Sequence, residues 1–310
     1  MTVTPGPAPE TIAAGLESLD DRFGKVVMGD ERVERLFGGG RWLEGPVYVP
    51  AHRCLLFSDI PNDRMLRYDE ISGAVSVFRA PAGYANGHTL DGEARLVSCQ
   101  QGHRRVVRTE HDGSVTVLAD AYDGKRFNSP NDVVVRTDGT IWFTDPPYGI
   151  TSDYEGHKGE QEIGGCHVYR LDPATGEVRI VADDFTRPNG LAFSVDETRL
   201  YVVDTPEKHI RVFEVKDGGL TGGEVFAPCT AGMFDGIRLD TGGRVWAATH
   251  EGVHVFDPDS TLIGKLLLPE IVSNLCFGGP KRNRLFVTAT TSVYSWLTTV
   301  NGAPLPFDPR

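Results

Sequence analysis

The chain is poor in clustered positive charge. It has 31 Lys and Arg residues against 43 Asp and Glu residues, which gives a formal net charge of −12 at pH 7. Lys and Arg nowhere form a run longer than a pair such as Arg104-Arg105. Because binding to phosphate backbones requires clustered cations, the sequence argues against nucleic acid as a partner.

Long apolar runs and paired cysteines are also missing. No apolar run is long enough to span a bilayer, and the N-terminal residues lack the basic and apolar regions of a signal peptide. The 5 cysteines are far apart and form no C-x-x-C pair. Widely spaced free thiols suit a reducing compartment. These absences predict a cytoplasmic protein with no membrane partner.

What the chain does contain is one short pattern in six copies. Each copy begins with a residue that carries a side-chain oxygen, and two apolar strands follow it. The first residues are Glu44, Asn86, Asn131, Asn189, Asp235 and Ser273, which lie 42, 45, 58, 46 and 38 residues apart. A period of about 45 residues with about four short strands per unit is typical of a β-propeller. The sequence therefore predicts an all-β fold, a six-bladed β-propeller.

The two ends of the chain are predicted to close this ring. A β-rich run from Arg32 to Phe37 precedes the first copy, as another such run precedes each later copy. It would therefore be the outer strand of the last blade, which leaves no exposed sheet edge there. This organisation assigns residues 31–310 to a propeller catalytic domain.

Residues 1–30 lie outside the repeat and form an N-terminal extension. Apolar residues recur at close to helical spacing between Thr11 and Phe23. The spacing predicts a short surface helix, with Thr11 as its N-cap.

The widest gap between copies holds a polar, Gly-rich insertion at residues 146–165. Two interpretations are open: a surface loop, and a lid over one mouth of the central channel. As a lid, the insertion would offer Tyr148 and Tyr154 to a sugar ring and would act in substrate selection.

The first residues of the copies converge on the channel if the fold is a propeller. A water-filled polar pore is one explanation of such a ring. However, the set has two potential anions, Glu44 and Asp235, and no Lys or Arg. Two converging carboxylates without a cation would repel each other and would be costly to bury. Oxygen donors without thiolate or imidazole favour a hard divalent cation such as Ca²⁺, Mg²⁺ or Mn²⁺.

Several of these motifs resemble the gluconolactonase branch of the SMP-30/gluconolactonase/LRE family, over about residues 33–297. They are Leu43-Glu-Gly-Pro, Leu56-Phe-Ser-Asp-Ile-Pro-Asn, Ser129-Pro-Asn-Asp, Ile141-Trp-Phe-Thr-Asp-Pro-Pro-Tyr-Gly, Arg187-Pro-Asn-Gly and Ser273-Asn-Leu-Cys-Phe. The resemblance implies a six-bladed propeller with one divalent cation in the channel, Ca²⁺ first and Mg²⁺, Mn²⁺ or Zn²⁺ as alternatives. By motif, its ligands would be Glu44, Asn131, Asn189 and Asp235.

The resemblance further implies hydrolysis of sugar lactones, with Asp235 as the general base. The attacking water would lose its proton to Asp235. In the alternative version, a water bound to the cation would be the nucleophile. Relatives often have Pro where this chain has Phe234, a change that could reshape the pocket wall. The sequence also suggests four substrate-binding residues near the channel mouth: Asn131, Arg126, Asn128 and His103.

Other polar residues are expected to be structural. His88 should point away from the axis because strand side chains alternate. Three aspartates end second strands and are expected to hold loops by hydrogen bonds: Asp59, Asp145 and Asp204.

The leading functional prediction is a metal-dependent lactonase that opens glucono-1,5-lactone to its aldonic acid, as a monomer or homodimer. One alternative is a lactonase or phosphotriesterase-like hydrolase of another substrate, because the same ligands would serve both. The other is a cation-dependent propeller that only binds. The sequence has no Trp-Asp dipeptide, which argues against common binding propellers, and no Gly-x-Ser-x-Gly elbow, which argues against serine-hydrolase chemistry.

Overall fold

The protein is a closed ring of six antiparallel sheets. The computed structural model describes residue 6, residues 8–28 and residues 32–308. Each sheet contains four or five strands. The first strands of successive sheets contact one another in an unbroken cycle, so they line a central channel. The predicted six-bladed β-propeller is therefore confirmed.

The strands follow the chain from blade to blade. Three strands precede the repeat: β1 (Glu10–Ala13), β2 (Gly15–Ser18) and β3 (Arg32–Gly38). Blade 1 contains β4 (Leu43–Val49), β5 (Cys54–Asp59), β6 (Arg64–Asp69) and β7 (Val75–Arg79). Blade 2 contains β8 (Ala85–Leu90), β9 (Leu96–Gln100), β10 (Arg105–Thr109) and β11 (Val115–Ala119). A two-stranded ribbon follows, with β12 (Ala121–Tyr122) and β13 (Lys125–Arg126).

The second half of the ring repeats this order. Blade 3 contains β14 (Val133–Val135), β15 (Ile141–Asp145), β16 (Cys166–Asp172) and β17 (Glu177–Phe185). Blade 4 contains β18 (Pro188–Phe193), β19 (Arg199–Asp204), β20 (His209–Lys216) and β21 (Gly219–Pro228). Blade 5 contains β22 (Ile237–Leu239), β23 (Val245–Thr249), β24 (Gly252–Phe256) and β25 (Leu262–Leu267). Blade 6 contains β26 (Val272–Gly278), β27 (Arg284–Ala289) and β28 (Ser292–Leu297).

Helical structure is limited to single turns. The one α-helix of the described residues, α1, spans Tyr148–Thr151 in the insertion. Three 3₁₀ turns span Phe23–Lys25, Pro50–His52 and Ile60–Asn62. None of the helices described here has the length and apolar character needed to cross a membrane.

The last blade joins both ends of the chain, as predicted. Strand β3 pairs antiparallel with β28, with Glu34 opposite Ser295. The N-terminal strand thus adds to the outer side of the last blade and closes the ring.

The helix predicted between Thr11 and Phe23 was wrong. The segment instead forms β1, which pairs with β3, and β2, which pairs with β25. Phe23 is nevertheless buried against Gly264, where an added Cβ would stand 2.3 Å from the ring, whereas Leu19 is 47% exposed. Unpaired outer edges of blades 5 and 6 offer backbone hydrogen bonds that a helix on the surface would not use. The stabilisation from these hydrogen bonds outweighs the preference for a helix that the apolar spacing indicates.

The apolar core lies between the blades. The described residues form six apolar clusters, and each cluster joins two neighbouring blades. Packing between blades therefore holds the ring without any group in the channel. Substitutions at the first residues of the inner strands should consequently leave the fold intact.

The two mouths of the channel differ. The inner strands begin at one mouth, where the first residues of the six copies lie, and they end at the other. At this far mouth the C-terminal segment crosses the ring: Ala303 N donates to Leu239 O at 2.9 Å, and Arg282 pairs with Asp308. A cavity of about 140 Å³ remains beneath Pro304. The far mouth is thus largely closed by the chain itself.

Candidate active site

The inner strands approach one another very closely where they begin. Gly87 N donates to Asn131 O of the next blade at 2.8 Å. A Cβ on Gly87 would lie 2.6 Å from the same oxygen, and one on Gly190 would lie 2.4 Å from Asp235 O. Glycine is needed here because any side chain would push the blades apart. The close approach brings the preceding side chains together at one mouth.

Glu44 is one of the two carboxylates at this mouth and is only 3% exposed. Its Oε2 accepts hydrogen bonds from Gly45 N at 2.7 Å and from Asn274 Nδ2 at 3.1 Å. Burial raises the pKa of Glu44 to about 8, and the charge of Asp132 adds to this rise. No Lys or Arg forms an ion pair with Glu44 among the residues described.

Asp235 is the second carboxylate and bonds to Asn189. Asn189 is itself held by Thr205, because its Nδ2 donates to Thr205 Oγ1 at 3.0 Å. Burial raises the pKa of Asp235 well above its usual range, and the negative charge of Glu44 raises it further. The two acids therefore interact directly across the mouth.

Asn131 completes the predicted set. It is 5% exposed, and its backbone N donates to Thr144 O at 2.9 Å. Within the described part of the chain, its carboxamide makes no hydrogen bond to a protein group. A buried carboxamide normally has a hydrogen-bonding partner, so its free atoms point to a ligand or water.

This donor set fits a hard divalent cation. It consists of two carboxylates and two carboxamides, all oxygen donors, and neither acid forms an ion pair with a Lys or Arg that the structure describes. Among the described residues there is no metal-type group of three or more His, Cys, Asp or Glu side chains. The predicted set does not need one, because half of its members are Asn. Glu44, Asn131, Asn189 and Asp235 are the residues that would hold the ion.

A second polar layer lies one residue further along the inner strands. Arg238 Nη1 donates to Asp132 Oδ2 at 3.1 Å, and Asp132 is only 1% exposed. Asn274 occupies the matching position in the sixth copy, where it reaches Glu44. Sequence reasoning missed both roles because it considered only the first residue of each copy. The available signal was that these two copies have a polar residue where most others have Gly.

Ser273 does not face the channel as the repeat suggested. Its Oγ bonds to Leu43 O and to Thr288 in the wall between blades 6 and 1. The strand is irregular between Val272 and Asn274, which turns the Ser273 side chain into the wall.

The insertion lies over this mouth. Gly149 N donates to Ser129 Oγ at 2.9 Å, and Ser129 Oγ also donates to Pro146 O. Tyr148 is half-buried, and burial together with the charge of Asp235 raises its pKa to about 12. These contacts favour the lid interpretation over a loop detached from the ring. Tyr154, by contrast, is 48% exposed.

The insertion also contributes an acid that sequence reasoning missed. The negative charge of Glu155 raises the pKa of both Glu44 and Asp235. Burial raises the pKa of Glu155 itself to about 7. No spacing in the sequence aligns Glu155 with the channel, because the residue lies outside the repeat.

The other three predicted substrate residues lie at different depths. Asn128 is fully enclosed, and its Nδ2 donates to Asp145 O and Gly165 O. It therefore holds the ends of the insertion together rather than reaching a ligand. Arg126 is exposed on the ribbon, where its backbone N donates to Glu162. His103 is exposed at the rim, with its pKa lowered by burial and by the charge of Arg105.

The residues expected to be structural are placed as predicted. His88 is buried between Ser58 and Ser98, each 2.8 Å from a ring nitrogen, and burial lowers its pKa to about 3. Each of the three strand-ending aspartates accepts backbone N–H groups of a loop: Asp59 from Arg41, Asp145 from Asn128 and Ser129, and Asp204 from Thr186 and Arg187. They are therefore not free to bind a cation.

The chain is similar to several proteins named as lactonases. A gluconolactonase of Zymomonas mobilis is 34% identical over 82% of this chain and 77% of its own length. A pentonolactonase of Haloferax volcanii is 29% identical over 79% of this chain and 80% of its own length. The solved structure of a gluconolactonase from Xanthomonas campestris superposes with a TM-score of 0.89 and 36% identity, covering 94% of this chain and 98% of that one.

A family model matches the greater part of the propeller. The match runs over residues 42–291, from the strand that carries Glu44 to the last blade. The chain therefore belongs to the SMP-30/gluconolactonase/LRE-like family.

Proposed function

We propose that the protein is a cation-dependent hydrolase that opens sugar lactones, with glucono-δ-lactone as the first substrate to test. The observation that carries the proposal is the pair Glu44 and Asp235, which share one channel mouth with two carboxamides and form no ion pair with a Lys or Arg in the described part of the chain. The relatives named as a gluconolactonase and a pentonolactonase support the substrate class.

Glu44, Asn131, Asn189 and Asp235 would hold the cation. When bound, the cation would polarise the lactone carbonyl, stabilise the developing negative charge on its oxygen and keep Asp235 ionised at neutral pH. Asp235 is assigned the proton transfer because it is less enclosed than Glu44. Its carboxylate accepts a proton from the attacking water as the new C–O bond forms.

The remaining residues position this base. Thr205 donates to Phe234 O at 3.1 Å and accepts from Asn189, so it ties Asn189 to the segment that carries Asp235. As the ring C–O bond breaks, the proton held by Asp235 passes to the leaving ring oxygen, and the product is an open hydroxy acid. Above the site, Tyr148 and the rest of the insertion restrict the access of bulk water.

The test is a panel of lactones assayed by acid release. Purified protein would be treated with EDTA, reloaded with one metal at a time, and supplied with glucono-, galactono-, xylono- and arabinono-lactone. We expect hydrolysis above the spontaneous rate for at least one sugar lactone, only after reloading. A phosphotriester assayed in parallel examines the alternative hydrolase. Turnover of the phosphotriester without turnover of any lactone would contradict the proposal.

A further inference from the structure

The outer edges of the six blades are protected to different degrees. Strands β1 and β2 cover the edges of blades 6 and 5. In blade 4, Gly222, Gly223 and Glu224 interrupt the outer strand, and in blade 3 the outer strand carries charges, which discourage pairing with another edge. No strand of the described chain covers the edges of blades 1 and 2, and their outer strands β7 and β11 together contain one charged residue, Arg79.

These two uncovered edges also expose apolar side chains on the outer circumference of the ring. The four residues, which we call the outer patch, are between 41% and 56% exposed: Val77, Phe78, Val115 and Val117. Single exposed apolar residues are normal on a monomer. A group of them on open strand edges is different, because unpaired backbone N–H and C=O groups beside apolar side chains form a template for pairing with another chain.

The two halves of the outer patch adjoin each other. Arg79 Nη2 of β7 donates to Thr109 Oγ1 of β10 at 3.2 Å, and Thr109 is paired with Val115 of β11. Arg79 also lies over Phe78, with its guanidinium carbon 5.6 Å from the ring centroid. Its charge is therefore held against the patch and does not extend toward a partner.

The charge of the surface indicates what could cover the outer patch. The chain has a formal net charge of −12, so two copies can approach each other closely only where acidic residues are absent. Strands β7 and β11 contain no acidic residue. A strongly charged partner would find nothing to pair with here, whereas a second copy of the chain presents the same uncharged edge.

We propose that the outer patch joins two copies of this chain, with β11 of one copy pairing antiparallel with β11 of the other across a twofold axis. Such an axis brings the same residues together from both copies, so no second surface is needed. With the axis at Thr116, Val115 of each copy lies opposite Val117 of the other, and cross-strand pairs of β-branched side chains are favourable. The pairing of β11 with β10 shifts only beyond Val117, so no bulge interrupts this edge.

The dimer is independent of the lactone site. The candidate ligands lie at the start of the innermost strands, whereas β7 and β11 are the outermost strands of their blades. Turnover should therefore be the same in monomer and dimer. Because the contact is small, its Kd is expected on the order of 10 µM.

Sedimentation velocity tests the dimer over concentrations from about tenfold below to about tenfold above that Kd. Wild type should pass from the mass of one 33.9 kDa chain to twice that mass. Val117→Lys places a charge in the outer patch and should raise the Kd at least about tenfold. The matched control is Val225→Lys, on the exposed outer strand of blade 4, and it should leave the Kd unchanged. Added salt should lower the wild-type Kd, because Asp112 and Asp120 flank β11 in both copies.

A cysteine on the twofold axis tests the register. Oxidation of Thr116→Cys should give a disulfide-linked dimer, because the two thiols would lie opposite each other. Val225→Cys should cross-link no more than wild type, whose own cysteines are buried or half-buried. A monomeric wild type at every concentration, an unchanged Kd in Val117→Lys, or equal cross-linking of the two cysteine variants would each overturn the proposal. A monomeric wild type would leave the outer patch to a protein of different sequence.

Discussion

Two carboxylates, buried Asp132 of blade 3 and half-buried Asp235 of blade 5, lie two blades apart at the same channel and differ in how their charge is compensated. Asp132 has an arginine beside it, with Arg238 Nη1 3.1 Å from its Oδ2. Asp235 forms no ion pair in the described part of the chain, and its pKa is raised well above the usual range by burial and by the negative charge of Glu44. The chain thus balances one charge internally and leaves the other for an external cation or a proton. The difference separates structural acids from functional ones.

The distinction also predicts that the ring does not depend on a bound cation. Six apolar clusters hold the blades together, and the Asp132–Arg238 pair joins blade 3 to blade 5 across the channel. When no cation is present, Glu44 and Asp235 lower the free energy of unfolding, because neither carboxylate has a positive charge to compensate its removal from water. Stability and activity should therefore respond to different substitutions.

The largest expected effect is on turnover in Asp235→Ala. Loss of both a ligand and the proposed base should lower kcat/KM at least about a thousandfold, or about 4 kcal/mol in activation free energy. Circular dichroism should show an unchanged fold. If the folded variant keeps more than about a tenth of wild-type kcat/KM, Asp235 is not the base.

Arg238→Met should have the next largest effect, on stability. It leaves Asp132 buried without its cation, which should lower the free energy of unfolding by about 3 kcal/mol in urea titrations. The control is the double variant Asp132→Asn with Arg238→Met, which removes both charges and should recover much of the loss. Equal free energies of unfolding in the single and double variants would show that Arg238 does not compensate the charge of Asp132.

Glu44→Gln should have a smaller effect, on cation affinity. The variant keeps an oxygen donor but removes one of two negative charges, so the Kd for the cation should rise about tenfold. Excess metal should partly restore activity. The metal-free variant should be at least as stable as wild type, because an uncompensated buried acid has been removed. Asn189→Ala should weaken binding less, since the lost donor is neutral; an unchanged Kd in Glu44→Gln would argue against the site.

A fourth expected effect is on the pH dependence of stability in the metal-free protein. Glu44 has a folded pKa of about 8 against an ordinary value of 4.5, so the folded state holds its proton more tightly than the unfolded state. Stability should therefore decline as pH rises through this window, which is the reverse of the usual carboxylate behaviour. Melting temperatures measured with EDTA and with saturating cation should diverge above pH 5. If the melting temperatures with EDTA and with cation changed with pH in parallel, the buried environment assigned to Glu44 would be contradicted.

The repeat made the ring and most of the candidate site predictable from the sequence. Equivalent positions of a propeller meet at one mouth, so Glu44, Asn131, Asn189 and Asp235 could be brought together without a structure. The closure by β3 followed from the same repeat. The N-terminal segment could not be predicted in this way, because its pairing with β3 and β25 depends on which sheet edges are left open.

Contacts from outside the repeat also escaped prediction. Glu155 lies in an insertion of irregular backbone, whose path is set by hydrogen bonds to Ser129 and within the insertion. Asn128 appeared suited to bind substrate because it is polar and close to the motif. Its side chain is instead used to join two ends of a loop. Polarity alone does not show whether a side chain binds a substrate or stabilises a loop.

Cation binding to the EDTA-treated protein, measured by calorimetry in buffers of different ionisation enthalpy, tests the central claim most directly. The account predicts about one divalent ion bound per chain. Protons should be released at neutral pH, because the cation displaces them from acids whose pKa burial has raised. Lactone hydrolysis should return in proportion to the ion bound. Full hydrolysis by demonstrably metal-free protein, or binding that neither releases protons nor weakens in Glu44→Gln, would contradict the account.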